Sequence, residues 1–164
     1  MGDHPGNGEA ELSQAQRRRL AVDLFNHVWT LLELAGRTPE QDDEMIHAAH
    51  ASRYHWSQVG TKANLARGEW QVSRVYAVLD RAEPALYHAH RCLAYVEEGG
   101  GGEEGIEDWD LPFAYEAVAR AEAVAGNTAE SARYELLARE AGEGIADDED
   151  RDHLRTELGT LPGR

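Results

Sequence analysis

The sequence predicts an all-α protein of six or seven helices, folded back on one another as antiparallel hairpins. Apolar residues recur at three- and four-residue steps along most of the chain, strand-type alternation is found nowhere, and glycine, proline and capping residues break the helical stretches at intervals. At 164 residues the chain is long enough for one domain with a sizeable core, and 12–161 is read as that domain.

The elements follow in order. Residues 1–11, with three glycines and a proline, read as a disordered leader. Helix 1 runs from an N-cap at Ser13 to Ala35, with Leu20, Leu24, Val28, Leu31 and Ala35 on one face and Gly36 as stop. Thr38-Pro39-Glu40-Gln41 is a capping box with proline at the first helical position, and it opens helix 2, which continues to Val59. Helix 3 spans Lys62 to Arg81 with Trp70, Val72, Val75, Tyr76 and Leu79 on its apolar side, and Gly68 inside it costs about 1 kcal/mol against alanine. Helix 4 begins near Pro84, aligns Ala85, Ala89, Cys92 and Val96, and ends at Glu97 or Glu98. Four consecutive glycines, Gly99 to Gly102, make 99–107 a mobile loop, because fixing such a run has a large entropic cost. Helix 5 follows from Asp110 to Ala125, helix 6 from Thr128 to Ile145 and a short helix 7 from Asp148 to Leu158.

Charge narrows the partners. A formal net charge of -15 repels phosphate backbones and anionic lipid, so nucleic acid and membrane are not expected. No run of about 18 apolar residues and no apolar leader is present, and the single cysteine, Cys92, forms no internal disulfide, which together suggest the cytoplasm.

Paired helices joined by short turns near 81–84 and at Gly126-Asn127 recur about 40 residues apart. Tyr76 and Leu79 precede the first turn and Ala85 and Ala89 follow it; Ala117, Ala121 and Gly126 precede the second and Ala132 and Ala138 follow it. On these residues the stretch 61–145 resembles the tetratricopeptide-like helical-hairpin superfamily, although the W-x2-L-G-x2-Y signature is absent and the helices are longer than that repeat allows. The resemblance implies a right-handed array of hairpins, a groove that binds a peptide or partner protein, and no catalytic residues. An irregular helical bundle is the other architecture the sequence admits.

Candidate functional residues concentrate on helix 2. At roughly 100° per residue Asp43, His47, His50 and Tyr54 share a stripe about 60° wide, with Glu44 and His55 on its flank. Two imidazoles at i, i+3 beside a carboxylate converge above a helix, so Asp43, Glu44, His47 and His50 form a half-site for a divalent metal such as zinc or iron, with His55 or His88 to complete it. The plainer reading is a solvated face, since Met45, Ala48, Ala49, Ser52, Trp56 and Val59 take the opposite side. Glu44-x-x-His47 is also a fragment of a di-iron motif, but the only partner fragment, Asp150-x-x-His153, lies in the tail.

On helix 3, Arg67, Gln71, Arg74 and Arg81 form a basic line suited to a small acidic ligand or an acidic peptide, or else to pairing with the protein's own carboxylates. Arg53 lies near the apolar side of helix 2 and needs a carboxylate partner. Helix 4 adds Tyr87, His88, His90 and Arg91, with Cys92 read as a buried, inert thiol. No G-x-S-x-G, H-E-x-x-H or phosphate-binding glycine loop occurs, so hydrolase and NTPase chemistry lack support.

The expectation is therefore an interaction or regulatory module without a cofactor. It binds in a groove of helices 2, 3 and 4 through His47, His50, Tyr54, Arg67, Gln71, Arg74, His88 and Arg91, with a metal-dependent enzyme or metal binder as the alternative. A homodimer through an uncapped end is a further expectation, on which the exposure of Trp29, Trp56 and Trp70 bears.

Overall fold

The computed structural model describes residues 11–100 and 104–163. Its helices are α1 Gln14–Leu32, α2 Pro39–Val59, α3 Lys62–Val78, α4 Ala82–Glu98, α5 Asp110–Val124, α6 Thr128–Gly142 and α7 Asp148–Gly159, and no strand occurs among the described residues. The protein is all-α, with seven helices packed on one another. Of the expected leader only Glu11 is described, and 101–103 of the glycine loop also lie outside the described residues.

The predicted caps form. Ser13 Oγ accepts from Gln16 N and Thr38 Oγ1 from Gln41 N, and each glutamine side chain accepts in return from the cap's own backbone N–H. Three ends differ from the sequence reading. Helix α1 stops at Leu32, where the Arg37 guanidinium donates to the carbonyls of Leu31, Leu32 and Leu34 and Gly36 turns the chain at φ 73°. Helix α6 stops at Gly142 rather than Ile145, whose side chain turns into the core instead. Helix α3 stops at Val78 rather than Arg81, because Asp80 adopts φ 58° and Arg81 N–H donates back to Tyr76 O at 2.9 Å. The same closure ends α5, with Gly126 at φ 80° and Asn127 N–H donating to Glu122 O at 2.9 Å. Helix α4 then starts at Ala82, with Pro84 in the first turn, where its missing N–H has no intrahelical partner to lose.

The hairpins are α1–α2, α3–α4 and α5–α6. A buried serine clasps each: Ser52 Oγ donates to Ala21 O (2.7 Å), Ser73 Oγ to Ala85 O (2.9 Å) and Ser131 Oγ to Ala119 O (2.9 Å). Between hairpins α2 packs on α3 and α4 on α5; α1 and α5 also pack on α3, whereas α2 and α4, like α4 and α6, keep their backbones apart and meet through long side chains, as Arg53 does with Tyr95 and His90 with Tyr134. The odd-numbered row is thus closed up and the even-numbered row splayed, which makes the face of α1, α3 and α5 the concave one. Across its far end lies α7, which packs on α5 and α6 by sinking Leu154 and Leu158 among Ala119, Ala138 and Ile145.

Candidate ligand pocket

Helices α1 and α3 and the start of α5 turn aromatic side chains into the concave face. Phe25 and Trp29 stand one turn apart on α1, Trp70 is on α3, and Trp109, just before α5, stands one turn from Phe113. Spacing of four residues puts such pairs on one helix face. They enclose a pocket of about 310 Å³ whose lining is completed by Ala66, Arg67, Cys92, Asp110, Asp150 and His153. The walls brace one another: Trp29 lies 5.5 Å from Trp70 between ring centroids, Trp70 meets Phe113 edge-on at 6.4 Å, and Phe113 meets His153 edge-on at 5.3 Å.

The polar groups at the pocket fall into two kinds. Asp110 is buried and accepts two parallel bonds from Arg67, from Nε at 3.0 Å and Nη2 at 2.8 Å, and the same guanidinium lies 4.3 Å over the Trp109 ring. Asp150, in the first turn of α7, gives its backbone N–H to the Asp147 cap, while its carboxylate has no hydrogen-bond or ion-pair partner among the described residues. The Cys92 thiol is buried, and burial, reinforced by the charges of Asp110, Glu69 and Glu116, pushes its pKa far up, so it behaves as an inert wall.

A second polar constellation lies between α2, α3 and α4, on the other side of α3. Glu69 is 5% exposed and accepts from Arg53 Nε at 2.9 Å and from His88 Nδ1 at 2.5 Å. His88 stacks on Tyr76 at 5.9 Å between centroids, the Tyr76 hydroxyl shares a 2.8 Å hydrogen bond with His50 Nε2, and Arg53 and Arg91 both donate to the Tyr95 hydroxyl. Every charged member has a partner, so the constellation ties three helices together and leaves no reactive group free.

The residues singled out from the sequence therefore scatter. His50, His88 and Arg91 belong to this interhelical network, while His47, Asp43 and Tyr54 are exposed. Glu44 turns to α1, where its carboxylate meets His27 Nε2 at 2.7 Å, so Glu44 and His50 are engaged in different directions. Among the described residues no group of three or more His, Cys, Asp and Glu side chains is placed to hold a metal ion.

The basic line of α3 is largely turned inward. Arg67 binds Asp110, Arg74 pairs with Glu157 and lies 3.7 Å from Glu116, and Gln71 donates to Phe25 O at 2.9 Å. Only Arg67 of the predicted ligand residues lines the pocket. Between helices 2, 3 and 4, where the groove was expected, lies the Glu69 network, and the open pocket lies between α1, α3, α5 and α7, with Cys92 of α4 in its wall.

Sequence reasoning missed all five aromatic residues of the pocket as site residues: Phe25, Trp109 and Phe113 outright, and Trp29 and Trp70, which it named only for their bearing on a homodimer. The available signal was the i, i+4 aromatic pair repeated before or within helices 1 and 5. Asp150 and His153 were noticed as a pair, but nothing local places α7 across the concave face. Glu69 was also legible in principle, since with Val72 and Tyr76 it shares a three- and four-residue stripe in which an acid demands a partner.

Comparison of the chain with protein-family models, with curated proteins and with solved structures gives no match.

Proposed function

We propose that this chain is a binding module: a stack of helical hairpins of the tetratricopeptide-like kind that takes a small organic molecule into the aromatic pocket of its concave face. The observation that carries the reading is the pocket itself, about 310 Å³ in volume with five aromatic side chains in its lining. That volume is at the lower end of the roughly 300–1,000 Å³ common for small-molecule sites, which combine apolar walls with a few fixed polar groups. Helix α7 crosses the end of the face and contributes Asp150 and His153, so the space is a chamber rather than a long channel, which favours a compact occupant over an extended peptide. Binding fits the lining better than turnover, since its thiol is held protonated and its buried carboxylate is committed to Arg67.

Three of the four tryptophans, Trp29, Trp70 and Trp109, line the pocket, while Trp56 is buried on α2. Their indole N–H resonances form a built-in reporter. A panel of small acidic, neutral and basic organic molecules should contain members that shift the three pocket indoles together, leave Trp56 in place and raise the melting temperature. A panel in which none moves those three at millimolar concentration, or in which only an extended peptide does, would remove the small-molecule reading.

A further inference from the structure

The pocket's charge and walls point to the class of occupant, and we propose that it is a small organic cation, an alkylated or primary ammonium on an apolar body. This rests on the pocket being a binding site. Arg67 and Asp110 cancel each other in their two-pronged pair, which leaves Asp150 as the unbalanced charge of the lining, in a chain whose net charge is -15. An anion entering the pocket would meet that carboxylate and the acidic surface around it. A neutral occupant would take water from the carboxylate and offer nothing in exchange.

The aromatic walls supply the second half of the argument. Ring faces attract a cation within about 6 Å of their centroid, and two rings of the lining already do so in this fold: the Arg67 guanidinium is 4.3 Å from Trp109 and that of Arg74 is 5.4 Å from Trp70. Phe25, Trp29 and Phe113 have no protein cation over them among the described residues, and they stand around the same space. An ammonium seated there would place its alkyl groups against these rings and its charge within the field of Asp150.

Three soluble probes of one shape test this: choline, its uncharged carbon isostere 3,3-dimethylbutan-1-ol, and 3,3-dimethylbutanoate, each titrated into the full-length chain with the tryptophan indoles as readout. Choline is expected to shift Trp29, Trp70 and Trp109 with a Kd at least about tenfold below that of the alcohol, the size expected for a cation over partly desolvated rings. Asp150→Asn should weaken choline several-fold and leave the alcohol unchanged, and Trp29→Leu should erase the preference between the two. Retained chemical-shift dispersion in each variant establishes that it is folded. If the alcohol binds as tightly as choline, or the carboxylate binds best, the cation class is wrong while the pocket stands as a binding site. If none of the three moves the indoles, the cation proposal fails, and the wider panel decides whether the binding reading fails with it.

Discussion

Burial alone would push the Glu69 carboxyl up, but the hydrogen bond from His88 and the charge of Arg53 outweigh it and hold the group below the ordinary value of 4.5. His50, one hydrogen bond away from Tyr76 and 5.3 Å from the His88 ring, is shifted below 6.5, by burial first and then by the charge of His88. The unfolded chain therefore binds a proton at His50 that the folded chain resists. Stability from this group is complete above pH 6.5 and is lost as the pH falls through the folded value, with the Glu69 contribution following below 4.5. Urea midpoints measured at pH 7.5 and 5.5 should fall for the parent chain and fall less for His50→Gln; equal drops would mean that His50 is not the sensor. At the pocket, burial makes Cys92 unreactive: Ellman's reagent should modify it at least about a hundredfold more slowly in the native chain than in urea, because the thiolate forms only when the core opens.

Gly68 shows why an element cannot be judged from its own propensities. In a lone helix alanine there would gain about 1 kcal/mol. In the fold a Cβ at 68 would lie 2.9 Å from Arg53 Cδ and 3.5 Å from Arg53 Cβ, so α2 approaches α3 over bare backbone and Arg53 reaches Glu69 across it. Gly68→Ala should then lower stability by about 1–3 kcal/mol, because relieving the clash disturbs a buried ion pair; an increase in the urea midpoint would show that Arg53 moves aside freely. Helix existence and the N-terminal caps were legible from the sequence because both are local: a period of 3.6 and a Ser or Thr three residues ahead of a Gln. The requirement that Arg53 find a carboxylate was legible too. Which carboxylate was not, nor that His88 shares it, because rotation of α2, α3 and α4 about their axes is set by packing between them. The helix 2 stripe does not come together as a metal-holding group among the described residues for the same reason, with Glu44 turned to α1 and His50 to α3.

Across the whole molecule the packing runs between sequence neighbours and between next-nearest odd helices, so the stack is held in short links. Helix α7 packs its backbone on α5 and α6, through Leu154, Leu158 and the following Leu161, with Arg120 donating to the terminal carbonyls of Glu157 and Thr160, and its one tie to α3 among the described residues is the ion pair of Glu157 with Arg74. Native-state hydrogen exchange should find α7 opening at a lower free energy than α3, which is packed on α1, α2, α4 and α5. Protection of α7 equal to that of α3 would instead mean that the chain opens only as a unit. Leu158→Ala, a fully buried position, should widen the difference, with a cost of about 2–5 kcal/mol.

Helices α1 and α7 supply opposite walls of the pocket yet do not pack on each other. A molecule held between Trp29 and Asp150 would therefore act as a crosspiece between the two ends of the stack, completing a ring that the polypeptide leaves open. Its presence would be read as a shared loss of motion in segments more than a hundred residues apart, and its departure would let either end move without the other.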